Sequence, residues 1–232
     1  MKPLKTFKNN SVATIIVAAG SSRRMAGVDK LLLKIGNCPV ILYSVAAFEE
    51  IERVSEIVIV ASKNNFEEIK SLISARESKK PLTVVLGGET RAQSVINGIN
   101  ALESDCQYVA VHDGARPLVH KDDIEGVFSL AEKTGAAILA AKVKDTVKVV
   151  KNNLIIDTPD RKFLYNAQTP QVFKLSAYRK LILANPHIDN ITDDASLFEA
   201  NGFEVSIFEG RADNIKITEK HDLYYIEGKL KV

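Results

Sequence analysis

Thr14-Ile15-Ile16-Val17-Ala18-Ala19-Gly20-Ser21-Ser22-Arg23-Arg24-Met25, with Lys30 just beyond, is the stretch that decides the fold. Its first half is apolar and β-branched, as a buried strand is. Its second half turns at Gly20 and presents two hydroxyls and two guanidiniums. Small residues let backbone N–H groups approach a ligand, and arginine and lysine neutralise its charge. A strand ending in a small, basic loop is the place where open α/β sheets bind phosphorylated ligands. A basic surface loop with no ligand would read the same way, so the stretch alone does not decide function.

Outward from this strand the chain alternates. Further apolar β-rich runs are expected at 54–61, 82–86, 108–111, 136–141 and 204–208, and helical spacing of apolar residues falls between them. This alternation implies a mostly parallel sheet covered by helices on both faces, a Rossmann-like α/β fold. The rhythm breaks once. Residues 146–150 and 154–157 are short β-like runs around Asn152-Asn153, a pair that tolerates a tight hairpin turn. Another extended run follows at 164–168 with no helix between. An antiparallel excursion at about 144–169 cannot bury itself alone. A second copy of the chain is the expected cover, which makes it a dimerisation β-arm on a single domain spanning 1–232.

Composition sets the limits. The 232 residues are 46% hydrophobic, enough for a packed core. Net charge is +2 and the charges are interspersed, which argues against a nucleic-acid binder. Cys38 and Cys106 have no paired spacing, so neither a disulfide framework nor a zinc site is expected. No apolar run reaches the roughly 18 residues of a membrane span. The first ten residues read as a short basic tail rather than a signal peptide, and the cytoplasm is the expected compartment.

Four polar groups fall just past predicted strand ends: the opening loop, Gly87-Gly88-Glu89-Thr90-Arg91 with Ser94, Asp113 with Arg116, and Arg211-Ala212-Asp213-Asn214-Ile215-Lys216. Four such groups, with cations in each and a carboxylate in the third, point to a phosphate-and-metal site. No Ser-His-Asp set or carboxylate pair suggests covalent or general-base chemistry. The first loop is not Gly-x-Gly-x-x-Gly, which weakens a dinucleotide oxidoreductase reading.

The ordered set Ala18-Ala19-Gly20-x-x-x-Arg24-Met25 with Lys30, Gly87-Gly88, His112-Asp113-Gly114-Ala115-Arg116-Pro117, Lys144-Asp145-Thr146, Asn166-Ala167-Gln168-Thr169-Pro170-Gln171-Val172-Phe173, Thr192-Asp193-Asp194 and Asn214-Ile215-Lys216 resembles the 2-C-methyl-D-erythritol 4-phosphate cytidylyltransferase family of the non-mevalonate isoprenoid route. The resemblance spans residues 13–228. It departs where Ser22 stands for a second glycine, Asp29 for a frequent proline and Glu89 for a common aspartate.

The resemblance implies a nucleotide-diphospho-sugar-transferase type of fold and transfer of CMP from CTP to methylerythritol phosphate, releasing pyrophosphate. It implies that Arg24, Lys30 and Lys216 are the catalytic cations. Ala18, Ala19, Gly20, Gly88, Glu89 and Ser94 would bind CTP, and Arg116, Thr146, Arg161 and Thr169 would bind the acceptor. Asp113 would hold Mg²⁺ or another divalent cation. It further implies a homodimer in which the arm completes the partner's site. Ribitol 5-phosphate as acceptor, and a non-catalytic nucleotide-binding protein on the same fold, stay open; Ala115 favours the isoprenoid acceptor over ribitol 5-phosphate.

Overall fold

The computed structural model describes residues 10–20, 29–185 and 192–230. The first strand, β1 (Val12–Ala18), is buried along nearly its whole length. The short ribbon β2 (Lys34–Ile35) and β3 (Cys38–Pro39) leads into α1 (Val40–Glu49). Then come β4 (Val54–Ala61), α2 (Phe66–Ser74), β5 (Leu82–Leu86), α3 (Arg91–Asn100), β6 (Tyr108–Asp113), α4 (Lys121–Thr134) and β7 (Ala136–Lys142). A hairpin, β8 (Val149–Lys151) and β9 (Leu154–Asp157), precedes β10 (Tyr165–Lys174). The chain then runs through α5 (Leu175–Ala184), α6 (Asp194–Ala200), β11 (Ser206–Glu209) and α7 (Lys220–Leu230).

The seven-stranded sheet has the order β11-β7-β10-β6-β1-β4-β5. All its strands run parallel except β10, which is antiparallel to both β6 and β7. Alternation along the strands feeds two cores. From β1, Val12, Ile16 and Ala18 join the side chains of α1, α2, α4 and α7. Ala13 and Ile15 face the opposite way, with α3, α5 and α6. Both faces are thus covered, as expected of a mostly parallel sheet.

The path along the sheet creates the site. From β1 the chain builds outward through β4 to β5, then returns to place β6 on the other side of β1. The β1/β6 boundary is therefore the topological switch point, where the loops leaving the carboxyl ends diverge and leave a crevice.

The excursion is shorter than the sequence suggests. Residues 165–169 belong to the central sheet, where Tyr165, Asn166 and Ala167 pair with Lys142, Ala141 and Ala140 of β7. A short apolar run gives no sign that it will continue as a ten-residue strand. What stands outside the sheet is 143–164. Its hairpin turns at Asn152 and Asn153, both with positive φ (51° and 63°), the geometry that asparagine tolerates best after glycine. Its apolar side chains point into solvent: Leu154 is 70% exposed, Ile155 63% and Phe163 74%.

Candidate active site

Two clefts open at the carboxyl end of the sheet and share one residue. The first, of about 520 Å³, lies over the β1/β6 switch point and is lined by Ala19, Gly20, Lys30, Gly88, Glu89, Arg91, Ser94, Asp113 and Lys216. The second, of about 1090 Å³, is lined by Arg116, Lys142, Lys144, Arg211, Asn214, Lys216 and Lys229 among others. Lys216 belongs to both.

At the junction sits Asp113, the last residue of β6, with its side chain only 10% exposed. Its Oδ2 lies 2.9 Å from Lys216 Nζ and 3.4 Å from Arg116 Nε. Its Oδ1 lies 3.8 Å from Arg91 Nε. Burial alone would raise this carboxyl, but the Lys216, Arg91 and Arg116 cations outweigh it and hold the pKa well below the usual carboxylate range. Arg91 is anchored from behind. Its guanidinium lies 2.7 Å from Asp194 Oδ2, and the Tyr178 hydroxyl donates to Asp194 Oδ1 at 2.6 Å. Burial works against the Arg91 charge, yet the Asp194 and Asp113 carboxylates raise its pKa further. Three cations thus meet two carboxylates, and Lys30 adds a fourth positive charge nearby. A surplus of fixed positive charge in a partly buried cleft suits phosphate.

His112 braces the site. It is fully buried, and desolvation pushes its pKa down to about 4, so the ring is neutral at physiological pH. The Arg116 carbonyl can only accept, so the contact of 3.3 Å to His112 Nε2 assigns the proton to that nitrogen. Nδ1 then accepts from the Thr169 hydroxyl at 3.1 Å, and the same hydroxyl oxygen accepts from the Asp113 backbone N–H at 3.0 Å. Thr169 therefore holds the backbone of Asp113.

The β5–α3 loop approaches β1 closely. A Cβ on Gly87 would stand 2.7 Å from both Ala19 Cβ and Ser94 Oγ, and one on Gly88 would collide with Gln93. Only glycine fits this close approach. Ser94 Oγ accepts from Gly88 N–H at 3.1 Å and donates to the Thr90 carbonyl at 2.9 Å, which fixes the loop against the helix start. Lys30 Nζ donates to the Ile217 carbonyl at 2.6 Å, which brings it beside Lys216.

The structure brings together Ala19, Gly20, Lys30, Gly88, Glu89, Ser94, Asp113 and Lys216, all on the first cleft, with Arg116 on the second. Arg24 lies outside the described residues. Ala18 turns its side chain into the opposite core, because successive strand residues face opposite ways, and its carbonyl accepts from Asn65. Thr169 is 4% exposed and lines neither cleft. Thr146 and Arg161 stand exposed on the arm, where Arg161 donates to the Lys144 carbonyl at 2.8 Å, and neither lines either of these two clefts. The sequence places Arg91 in the second polar group but gives it no role of its own, since it follows the Thr90 N-cap as an ordinary helix-start arginine does. Its partner Asp194 is over a hundred residues away in the chain.

Among the described residues no three His, Cys, Asp or Glu side chains gather into a metal site. A single carboxylate still fits one cation type. Asp113 Oδ1 takes no hydrogen bond from the described residues, and Mg²⁺ uses one or two carboxylates with phosphate oxygens and water. No helix of the described residues is long and apolar enough to cross a membrane.

The family model described as 2-C-methyl-D-erythritol 4-phosphate cytidylyltransferase (IspD) matches residues 12–231. The 2-C-methyl-D-erythritol 4-phosphate cytidylyltransferase of Caldanaerobacter subterraneus subsp. tengcongensis is 43% identical over 224 residues, covering 94% of this chain and 97% of that protein. That of Alkaliphilus oremlandii is 39% identical over 229 residues, covering 96% of each. Among solved structures, 4-diphosphocytidyl-2C-methyl-D-erythritol synthase from Anaerococcus prevotii superposes with a TM-score of 0.85 at 29% identity, covering 96% of this chain and 99% of that one. The chain belongs to the 2-C-methyl-D-erythritol 4-phosphate cytidylyltransferase family.

Proposed function

We propose that this protein transfers CMP from CTP to 2-C-methyl-D-erythritol 4-phosphate, giving 4-diphosphocytidyl-2-C-methyl-D-erythritol and pyrophosphate. The observation that carries the reading is Lys216, the residue common to both clefts. The smaller cleft takes CTP, with the cytosine end against Ala19, Gly20, Gly88 and Ser94. The larger, lined by Arg116, Lys142, Lys144, Arg211 and Lys229, takes the polyol phosphate. The acceptor's phosphate oxygen and the α-phosphorus of CTP then meet at the shared lysine.

A phosphate monoester is already anionic at neutral pH. Its oxygen attacks the α-phosphorus, the bond from that phosphorus to the bridging oxygen of the β-phosphate breaks, and pyrophosphate leaves. No proton has to be abstracted. The obstacle is repulsion between two anions, followed by charge growing on the α-phosphate and the leaving group. Fixed cations lower both energies without reorganising during the reaction. Lys216 faces the α-phosphate, while Lys30 holds the triphosphate, a role that the family resemblance gives to Arg24 as well. Arg91 adds charge from the floor of the nucleotide cleft. Asp113 fixes Lys216 and Arg116 and would hold Mg²⁺ through Oδ1. When bound, that ion neutralises phosphate charge and withdraws electrons from phosphorus.

Thr146 and Arg161 line neither of the two clefts of their own chain, which supports a role across a subunit boundary. The exposed apolar side chains of the arm support a homodimer in which each arm contributes those two residues to its partner's acceptor cleft. Both substrates are charged and do not cross membranes unaided, which supports a cytoplasmic site of action.

The test is pyrophosphate release from CTP with a panel of polyol phosphates. Turnover highest with 2-C-methyl-D-erythritol 4-phosphate is expected. Faster turnover of ribitol 5-phosphate would overturn the acceptor, and CTP binding without turnover of any acceptor would overturn the enzyme reading.

A further inference from the structure

Outside the groups already assigned, one buried amide ties the two flanks of the first loop together. Asn65 stands at the N-cap of α2, yet its side chain makes no capping bond. It is 1% exposed and turns inward. Its Oδ1 accepts from the Ser62 backbone N–H at 2.8 Å. Its Nδ2 donates to the Ala18 carbonyl at 3.0 Å and to Asp29 Oδ2 at 2.6 Å. Both donors and the acceptor of this amide are therefore used. Ala18 is the last residue of β1, and Asp29 immediately precedes Lys30, so one side chain joins the backbone before residues 19–28 to the carboxylate just after them.

Asp29 in turn orders the residues after it. Its Oδ1 accepts from Leu31 N–H at 2.9 Å and its carbonyl accepts from Leu32 N–H at 3.1 Å. Leu31 is 3% exposed and sits in the core. Lys30 leaves this turn between two fixed neighbours and reaches the Ile217 carbonyl beside Lys216. A lysine is a point charge on a flexible four-carbon stem, so the position of its ammonium depends on how firmly its backbone is held. The same bonds turn the Asp29 carboxylate toward Asn65 and Leu31 N–H, and Asp29 does not line the nucleotide cleft.

We propose that Asn65 and Asp29 form a clamp that positions Lys30 for the nucleotide. The two are positioning residues acting through Lys30, and the inference rests on the reading of Lys30 as a triphosphate-holding cation. Truncating buried Asn65 risks misfolding, so the informative variant is Asp29→Asn. The new amide oxygen still accepts from Leu31 N–H, but an NH₂ now replaces the other carboxylate oxygen. That group faces the Asn65 NH₂, and the clamp opens.

The experiment is a double-mutant cycle with Asp29→Asn, Lys30→Ala and the pair, with KM for CTP and for the acceptor measured separately. Loss of a hydrogen bond to a charged group corresponds to about a tenfold rise in KM for CTP, with the acceptor KM unchanged. In the Lys30→Ala background the Asp29→Asn change is expected to have no further effect. Equal factors in both backgrounds would overturn the clamp while leaving Lys30 in its role, as would equal rises in both KM values or no change in either. A Lys30→Ala variant with wild-type CTP kinetics would overturn the assigned role of Lys30, and the clamp with it.

Discussion

The nucleotide cleft and the arm are built on opposite principles. Around Asp113 the polar groups are paired and wholly or partly buried: Lys216, Arg116, Arg91, Asp194, Tyr178, His112 and Thr169 form one connected set. Along the hairpin the order is inverted, and Val150, Leu154, Ile155 and Ile156 face solvent at 55–70% exposure. The difference shows what each region can do alone. A buried cluster of fixed charges can stabilise a transition state without help, because it needs no reorganisation. A two-stranded hairpin without a core is marginal alone and acquires a fixed geometry only against another surface. On the proposed function, the nucleotide half draws on side chains of one chain and the acceptor half draws also on a second copy.

The sharpest way to break this comparison is at its centre. Replacing Lys216 by alanine removes the cation common to both clefts. The expected result is a loss on the order of a hundredfold or more in turnover, with the circular dichroism spectrum unchanged. Asp113→Asn should lose turnover on a similar scale and shift the Mg²⁺ titration to higher concentration. Near-normal rates in both variants would mean that the cluster is structural.

A second experiment tests the arm. Deleting 148–156 should convert a dimer to a monomer in sedimentation and raise the acceptor KM more than the CTP KM. Mixing chains carrying Asp113→Asn with chains carrying Arg161→Ala should restore activity that neither has alone. In an equal mixture half the dimers are mixed, each with one intact site, so about a quarter of wild-type turnover is expected. No recovery after subunit exchange would place both residues in the same subunit's site.

These two regions also differed in how far the sequence revealed them. The apolar runs of β1, β4 and β5 and the short loops after them were legible because period and turn chemistry are local. So was the hairpin at Asn152-Asn153. The course of β10 was not. Residues 164–168 look like one more short run, and only pairing with β7 shows that the strand continues to Lys174 and carries Thr169 inside the sheet. The pairing of Arg91 was hidden for the same reason, since Asp194 becomes its neighbour only after α5 and α6 have packed on the sheet. Ala18 illustrates a further limit. A motif marks a segment, but strand alternation decides which of its residues face the ligand.

The acid side of the pH–rate profile separates enzyme from substrate. Asp113 is held ionised well below the usual range, and His112 stays neutral above about pH 4. Neither changes charge as the pH falls from about 7 to about 5. The acceptor's phosphate monoester does, with a second pKa of about 6. Its protonation removes charge from the attacking group, so kcat/KM for the acceptor should fall below about pH 6 and drop roughly tenfold by about pH 5. An acceptor analogue with a higher second pKa should move the limb upward by the same interval. A limb that stays in place would assign it to an enzyme group instead.

The smallest effect tests whether the nucleotide half is held from behind, as the arm is not. Tyr178 is fully buried, packed edge-on against Phe173 and Phe198, and its hydroxyl donates to Asp194. Tyr178→Phe keeps the ring and its packing and removes only that hydrogen bond. Asp194 retains Arg91 at 2.7 Å, so Arg91 remains paired but loses part of its restraint. A bond to a carboxylate is worth about 1.5–3 kcal/mol, and that much should be lost from the unfolding free energy. Turnover should fall only a few-fold, because the cation itself is still in the cleft. If thermal stability falls and turnover does not move at all, Asp194 and Arg91 hold their geometry without the hydroxyl. If turnover falls as far as in Lys216→Ala, the rear support belongs to the transition-state machinery and not to the scaffold.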